Sequence, residues 1–334
     1  MSFSIIIPTR NRDASLGRTL GSLAQVDFGP GEVEVLVVDN GSLEKTRATF
    51  ELIRTMISEL QWKYLYEPMP GQLSGRHCGA LEASGDICVF LDDDVRLDRD
   101  WLAAIEESFF DPQVALVGGP SRPLFESTPP DWLKNFFDSD QQGRHCADLS
   151  LFDGGEQIKE IDPCYVWGLN FAIRRKSLVD LGGFHPDLIP KPLQRFQGDG
   201  ETGLSLKVAH AGLKALYHPQ AAVLHEVPAC RMTVPYFEQR AFYQGVCASY
   251  TQFRSEGKPA DALRACTDRI KRFLLEAPRS GIRRRTAKAY AAGFEFHQEQ
   301  VRKDPQLLDW VLRKDYWDYR LPAGWEKYCL GSSQ

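Results

Sequence analysis

The amino-acid sequence predicts an α/β fold, a sheet with helices on both faces, followed by a C-terminal region that is helical throughout. Three observations carry this. Short apolar runs alternate with amphipathic stretches up to about Val117. Those runs are continuous in apolar residues, the mark of strands covered on both sides. From Pro235 onward only helical periodicity is found.

The elements follow in order. Phe3–Pro8 is a short apolar strand, and Asp13–Gln25 carries Leu16, Leu20 and Leu23 at helical spacing. Val33–Val38 is a second strand, stopped by Asp39-Asn40-Gly41. Leu43–Leu60 is helical, with Phe50, Ile53, Ile57 and Leu60 on one face. Trp62–Tyr66, Ile87–Leu91 and Val114–Val117 read as strands, with helices over Gly75–Ala83 and Asp100–Phe110 between them. Ser121–Asp162 has weak periodicity and several prolines, and reads as a long excursion able to cover a substrate. Tyr165–Arg174 resumes strand character, Lys176–Leu181 is a short helix, and Gly203–His210 is a helix capped by Gly212. Two short strands, Lys214–Tyr217 and Ala221–Leu224, precede the helical tail, which is broken near Gly257, Pro278 to Gly281 and Asp304-Pro305. The division expected is a first domain over residues 1–230 and a helical region over 231–334.

The chain has 334 residues, enough for a large core without disulfide staples. A net charge of −5 argues against a nucleic-acid partner. The eight cysteines are scattered, as expected of free thiols in a reducing cytoplasm. No stretch approaches the ~18–20 apolar residues of a spanning helix. The first eight residues read as a strand and not as a signal peptide.

In open α/β sheets, ligands bind beyond the carboxyl ends of the strands. Four polar sets lie there: Pro8-Thr9-Arg10-Asn11-Arg12, Asp39-Asn40-Gly41-Ser42, Glu67-Pro68 with Gly71 through Gly75-Arg76-His77, and Asp92-Asp93-Asp94. Three consecutive carboxylates after a buried strand repel one another unless they are solvated or hold a cation. Mg²⁺ and Mn²⁺ prefer oxygen ligands and often share them with substrate phosphates.

These pieces resemble family 2 glycosyltransferases, the large inverting group with the GT-A fold. The opening Ile5 to Asn11, Val37 to Ser42, Gly75 to Ala80 and Phe90 to Asp94 all match. Downstream, Gly168 to Ala172, Leu181 to Phe184, Gly198 to Glu201 and Val223 to His225 match in the same order, over about residues 3–226. The resemblance implies a mixed GT-A sheet and transfer of a sugar from a nucleotide-diphosphate donor, UDP foremost, to an acceptor hydroxyl with inversion. It implies Mn²⁺ or Mg²⁺ as cofactor. Pro8, Thr9, Arg10 and Asn11 would line the nucleoside pocket, Asp39 would accept from the base, and Arg76 would lie near base and diphosphate. Asp92 and Asp94 would form the acidic D-x-D pair, with Asp94 on the metal and Asp92 and Asp93 by the ribose, the sugar and the metal's waters. His225 would approach the metal or diphosphate. Trp167, Gly168, Leu169 and Asn170 would meet the sugar and acceptor, although Trp167 also suits a core position.

The base position is where the chain departs from the pattern of the family it resembles. Asp199-Gly200-Glu201-Thr202 replaces the usual paired acids. Alignment through Leu204 puts Glu201 on the base position, with Asp199 as second candidate and a helix cap as the structural alternative for both. Two other functions compete: a sugar nucleotidylyltransferase, which would want a Gly-rich basic loop after the first strand, and a catalytically silent nucleotide-sugar-binding module. The basic stretch Arg264, Arg269, Lys271, Arg272, Arg279, Arg283, Arg284, Arg285 and Lys288 is open to three readings: an anionic membrane surface, a solvated helix face or a homodimer contact. The first fits a lipid-linked acceptor and a peripheral place at the inner face of a membrane; a saccharide acceptor needs neither.

Overall fold

The computed structural model describes residues 1–42, 44–58, 60–257, 281–318 and 320–321. Strands β1 (Ser2–Thr9), β2 (Glu32–Asp39), β3 (Gln61–Tyr66) and β4 (Ile87–Leu91) pair in parallel, with β1 between β2 and β4. Helices α1 (Asp13–Leu23), α2 (Glu44–Met56) and α3 (Gln72–Glu82) connect them. After β5 (Val95–Leu97) and α4 (Trp101–Ser108) come β6 (Val114–Gly118) and β7 (Ser121–Phe125). Short strands β8 (Asp138–Ser139), β9 (Arg144–Cys146), β10 (Leu151–Asp153) and β11 (Lys159–Glu160) follow, then β12 (Asn170–Arg174) and α5 (Arg175–Asp180). The last mixed portion is α6 (Gly200–His210), β13 (Lys214–Tyr217) and β14 (Val223–Val227). Three helices follow among the described residues: α7 (Val234–Glu256), α8 (Gly281–Lys303) and α9 (Pro305–Val311).

Two sheets result. The larger has eight strands in the order β11-β13-β6-β12-β4-β1-β2-β3. It is mixed, because β12 runs antiparallel between β4 and β6. The smaller has six strands in the order β5-β14-β7-β10-β9-β8. Side chains of β1 alternate between two cores: Ile6 joins Leu36, Phe90 and Phe171 on one face, Ile5 and Ile7 join Val35, Val89 and Leu16 on the other. Burial on both faces is why β1 and β2 read as mainly apolar runs, apart from the mutually bonded Ser4 and Glu34. The C-terminal helices share the first of these cores, to which Tyr250, Phe253, Val301, Leu307 and Trp310 contribute. Where α7 crosses α8, a Cβ on Gly245 would stand 2.0 Å from the Tyr290 carbonyl and one on Gly293 1.9 Å from that of Phe242. Only glycine allows this backbone approach.

The structure departs from the sequence reading in four places. The 121–162 excursion is not a free loop; it supplies β7 to β10 of the smaller sheet and β11 of the larger. Its strands are two to five residues long, too short to show a period of two. Tyr165–Arg174 is a strand only from Asn170, because Pro163–Tyr165 forms a 3₁₀ turn capped by Asp162. Helix α3 begins at Gln72, behind a Gly71 with φ +124°, and α6 begins at Gly200, so Glu201 lies inside the helix. The final strand runs Val223–Val227 and includes His225.

Of the basic stretch, residues 264–279 lie outside the described residues. Of those described, Arg285 makes two bonds to Glu238, at 2.7 and 2.9 Å, and Arg283 bonds the Asn135 carbonyl and Asp138. Both of these cations are engaged with neighbouring parts of the fold. No described helix is long and apolar enough to cross a membrane, and the six described cysteines are free thiols.

Candidate active site

The carboxyl ends of β1, β2 and β4 form one rim, with Thr9 and Asp39 in register. The chain leaves β1 through Asn11, which adopts φ +53° and donates its N–H to Ser42 Oγ at 2.8 Å. Asp39 is buried; its Oδ1 accepts from the Ser42 N–H at 2.6 Å and its Oδ2 from the Tyr64 hydroxyl. Asn40 ties the rim to the next loop by donating to the carbonyls of Glu67 and Met69 and accepting from the Gly71 N–H. Pro8 and Arg10 are half-buried on the same loop.

The acidic triplet leaves β4, and its three carboxylates part company. Asp92 accepts from Gln72 Nε2 at 2.7 Å and lies 3.6 Å from Arg76. Asp93 is buried, accepts from Thr9 Oγ1 at 2.6 Å and pairs with Arg12 at 2.8 Å. Burial pushes its carboxyl up to about 7, against the pull of Arg12 and Thr9. Asp94 is buried as well; its Oδ2 receives Arg12 at 2.8 Å, Arg231 at 3.0 Å and His225 Nε2 at 3.5 Å. Burial raises the Asp94 carboxyl, but His225, Arg12 and Arg231 outweigh it and hold it below the usual carboxylate range.

Arg76 links this rim to α6. Its guanidinium is buried, lies 3.3 Å from Glu201 Oε2 and covers the Phe184 ring at 5.1 Å. Gly168 makes room for it, since a Cβ there would stand 2.0 Å from Arg76 Nη2. The Gly168 N–H in turn donates to Glu201 Oε1 at 3.3 Å. Asp199 is used differently. It sits at the N-terminus of α6 without capping it; Oδ1 lies 2.6 Å from His185 Nδ1, and Oδ2 accepts from Thr251 Oγ1 at 2.7 Å. Of the two candidate bases, Glu201 alone joins the rim.

Two of the residues expected at the sugar are engaged within the fold. Leu169 is buried in the apolar core, and Asn170 is held on both sides, accepting from Trp101 Nε1 at 3.0 Å and donating to the Ala221 carbonyl at 2.8 Å. The strand starting at Asn170 turns both into the fold. Trp167 is half-buried, donates to the Cys164 carbonyl and tilts against Phe152 at 5.8 Å between ring centres.

For a divalent cation the geometry is divided. Of the expected ligands, Asp94 and His225 meet, while Asp92 turns toward Gln72 and Arg76. Among the described residues, no three His, Cys, Asp or Glu side chains stand together at metal-holding spacing. Asp94 Oδ1 and His225 Nδ1 are nevertheless buried with no hydrogen-bond partner. A buried carboxylate oxygen left in this state costs free energy, and a hard cation would satisfy it. Arg12 and Arg231 carry the compensating charge on the other oxygen.

Sequence reasoning missed Arg231, Gln72, Asp187 and the part played by Arg12. Arg12 stood inside a quoted motif and could have been found. Arg231 lies in a turn after β14 with no pattern of its own, and only the pairing of β14 with β5 brings it to Asp94. Asp187 lies on the loop before α6; burial and the charge of Glu201 push its carboxyl up to about 6.

The model of the family described as glycosyl transferase family 2 matches residues 4–182. The chain belongs to this family. It is 36% identical over 201 residues to validoxylamine A glucosyltransferase of Streptomyces hygroscopicus subsp. limoneus, a match covering 55% of this chain and 44% of the relative. It is 28% identical over 237 residues to succinoglycan biosynthesis protein ExoM of Rhizobium meliloti, covering 70% of each. The match thus spans less than half the length of the first relative. Among solved structures, a Pyrobaculum calidifontis mannosyltransferase in complex with GDP-Man and Mn²⁺ superposes with a TM-score of 0.56 at 21% identity, over 95% of this chain and 88% of that one. This likeness shows the fold. The mixed sheet between helical layers is the GT-A architecture of family 2.

Proposed function

We propose that the chain transfers a hexose from a UDP-sugar to an acceptor hydroxyl by a single displacement with inversion. The observation that carries the proposal is the meeting of Asp92, Arg76 and Glu201 beside Asp94, whose Oδ1 is buried without a partner. A donor diphosphate brings negative charge to a rim already rich in carboxylates, so it needs a cation there. A bound Mn²⁺ or Mg²⁺ would neutralise the diphosphate as it leaves, held by Asp94 with His225. Thr9, Arg10, Asn11 and Asp39 would hold the nucleoside, with Asp39 accepting the ring N–H that uracil offers and cytosine lacks. Arg76 would face the diphosphate or the sugar.

The acceptor oxygen attacks the anomeric carbon while the bond from that carbon to the diphosphate breaks. Glu201 takes the hydroxyl proton. Its carboxylate is oriented by Arg76 and the Gly168 N–H at 3.3 Å each, close enough to fix it and long enough to leave lone pairs for the acceptor. The assay is release of UDP from a panel of UDP-hexoses with Mn²⁺, set against the GDP- and CDP-sugars. UDP-sugars should be the substrates. Turnover of a GDP-sugar in preference would refute the Asp39 pocket, and no turnover or binding of any nucleotide sugar would refute the function.

A further inference from the structure

We infer that Arg231 is an exchangeable counter-ion: its guanidinium spans Asp94 and His225, the two residues that would share the cation, and gives them up when cation and donor enter together. The inference rests on the metal reading above and assigns the coupling of the two ligands to one residue of the turn after β14.

The geometry is one fork on two groups. Arg231 Nη2 lies 3.0 Å from Asp94 Oδ2, and Nη1 lies 3.1 Å from His225 Nε2. An arginine N–H can only donate, so Nε2 accepts, and the ring proton then sits on Nδ1. A metal takes a ring lone pair. While Arg231 is bonded, Nε2 has spent its lone pair and Nδ1 has none to offer. Departure of Arg231 releases the ring to present a lone pair beside Asp94, which stands 3.5 Å from Nε2. A cation on Asp94 Oδ1 takes over the compensation of charge that Arg231 gives up.

Arg12 meets the same Asp94 oxygen and is placed differently. One arm of its fork is 2.8 Å from Asp94 Oδ2, and the other is 2.8 Å from Asp93 Oδ1. It ties two neighbouring carboxylates and leaves the histidine alone. Asp93 and Asp94 thus face two guanidiniums. A dication added to this set brings surplus positive charge, which the donor's diphosphate offsets. Cation and UDP should therefore bind cooperatively, with Arg231 setting most of the cooperativity.

Arg231 can let go without moving the fold. Its turn, Ala229–Arg231, is held by the bond from the Arg231 N–H to the Pro228 carbonyl at 2.9 Å. On either side, Val227 and Met232 are buried in the satellite core with Phe237. The Arg231 side chain is 23% exposed and that of Asp94 2%. The carboxylate stays in place while the guanidinium has a path to water.

Titration with Mn²⁺, followed by the paramagnetic resonance signal of the free ion with and without UDP, tests this on the whole chain. The variants are Arg231→Ala, Arg231→Gln and Arg12→Gln, each checked for its melting temperature; either folded Arg231 variant decides. In wild type, UDP should tighten Mn²⁺ binding by about tenfold or more. Without UDP, the Arg231 variants should bind Mn²⁺ about tenfold or more tightly than wild type, and UDP should then add less. Arg12→Gln removes a charge from the same oxygen but leaves His225 held, so it should tighten Mn²⁺ less than either Arg231 variant. If wild type binds Mn²⁺ with UDP, but the Arg231 variants bind it no more tightly alone, or Arg12→Gln matches them, the metal reading stands and this inference falls. If none of the proteins binds Mn²⁺ even with UDP present, both fall.

Discussion

Asp199 and Glu201 stand two residues apart at the start of α6 and are used in opposite ways. Asp199 is buried and closed on both oxygens by His185 at 2.6 Å and Thr251 at 2.7 Å, between α6 and α7. Glu201 is partly exposed and held at 3.3 Å by a cation and a backbone N–H. A carboxylate whose lone pairs are met by short bonds inside the fold adds stability and specifies packing. One held loosely at a rim, facing a buried arginine, has capacity left for a ligand. The rim shows the contrast within one residue: Asp94 Oδ2 is met by Arg12 and Arg231, while Asp94 Oδ1, like His225 Nδ1, is buried without a hydrogen-bond partner.

Substitution on the rim side should change activity most. Glu201→Gln keeps shape and removes basicity, so transfer should fall by roughly 10²–10⁴-fold while UDP affinity and melting temperature hold. If Glu201→Gln stays active, the half-buried Asp187 is the next carboxylate to replace. Asp199→Asn should do the reverse. It leaves His185 and Thr251 mismatched and should cost about 1–3 kcal/mol in stability, read from chemical denaturation, with a smaller effect on transfer in the folded protein. A dead-transfer, fully stable Asp199→Asn would exchange the two roles.

Asp39→Ala sharpens the rim further. It should weaken UDP by about 1–3 kcal/mol, the cost of an unpaired buried polar group, measured by titration against CDP as control. If the UDP and CDP affinities fall equally, Asp39 is only holding its turn with Ser42 and Tyr64. The smallest effect is a control far from the chemistry. Glu34 is buried and accepts from Ser4, Ser84 and Lys63. Burial raises its carboxyl, but those partners win and bring it down to about 2. The stability it supplies is therefore present above its ordinary pKa of 4.5 and lost as pH falls toward about 2. Between those limits, wild type should lose stability more steeply than Glu34→Gln; parallel melting curves would remove this role.

How much of this was legible follows from what each signal is. Long apolar runs such as Val33–Val38 announce buried strands, and the polar residues after them announce the rim. The acidic triplet, Arg76 and Glu201 were readable because motif and fold agree there. The smaller sheet was hidden, because strands as short as Arg144–Cys146 carry no period and take their conformation from neighbours distant in sequence. Asn170 stood in a matching motif, yet its amide is used between Trp101 and Ala221, which a motif does not reveal. Arg231 and the Asp199–His185–Thr251 closure depend on tertiary approach alone.

The rim's open groups, Asp94 Oδ1 and His225 Nδ1, would be met by a cation that carries the donor. The direct measurement is UDP affinity by calorimetry with Mn²⁺ and with EDTA, in wild type and in Asp94→Ala. Wild type should bind UDP much more tightly with Mn²⁺ than with EDTA, and Asp94→Ala should bind equally in both. Equal wild-type affinities in Mn²⁺ and EDTA would contradict the claim.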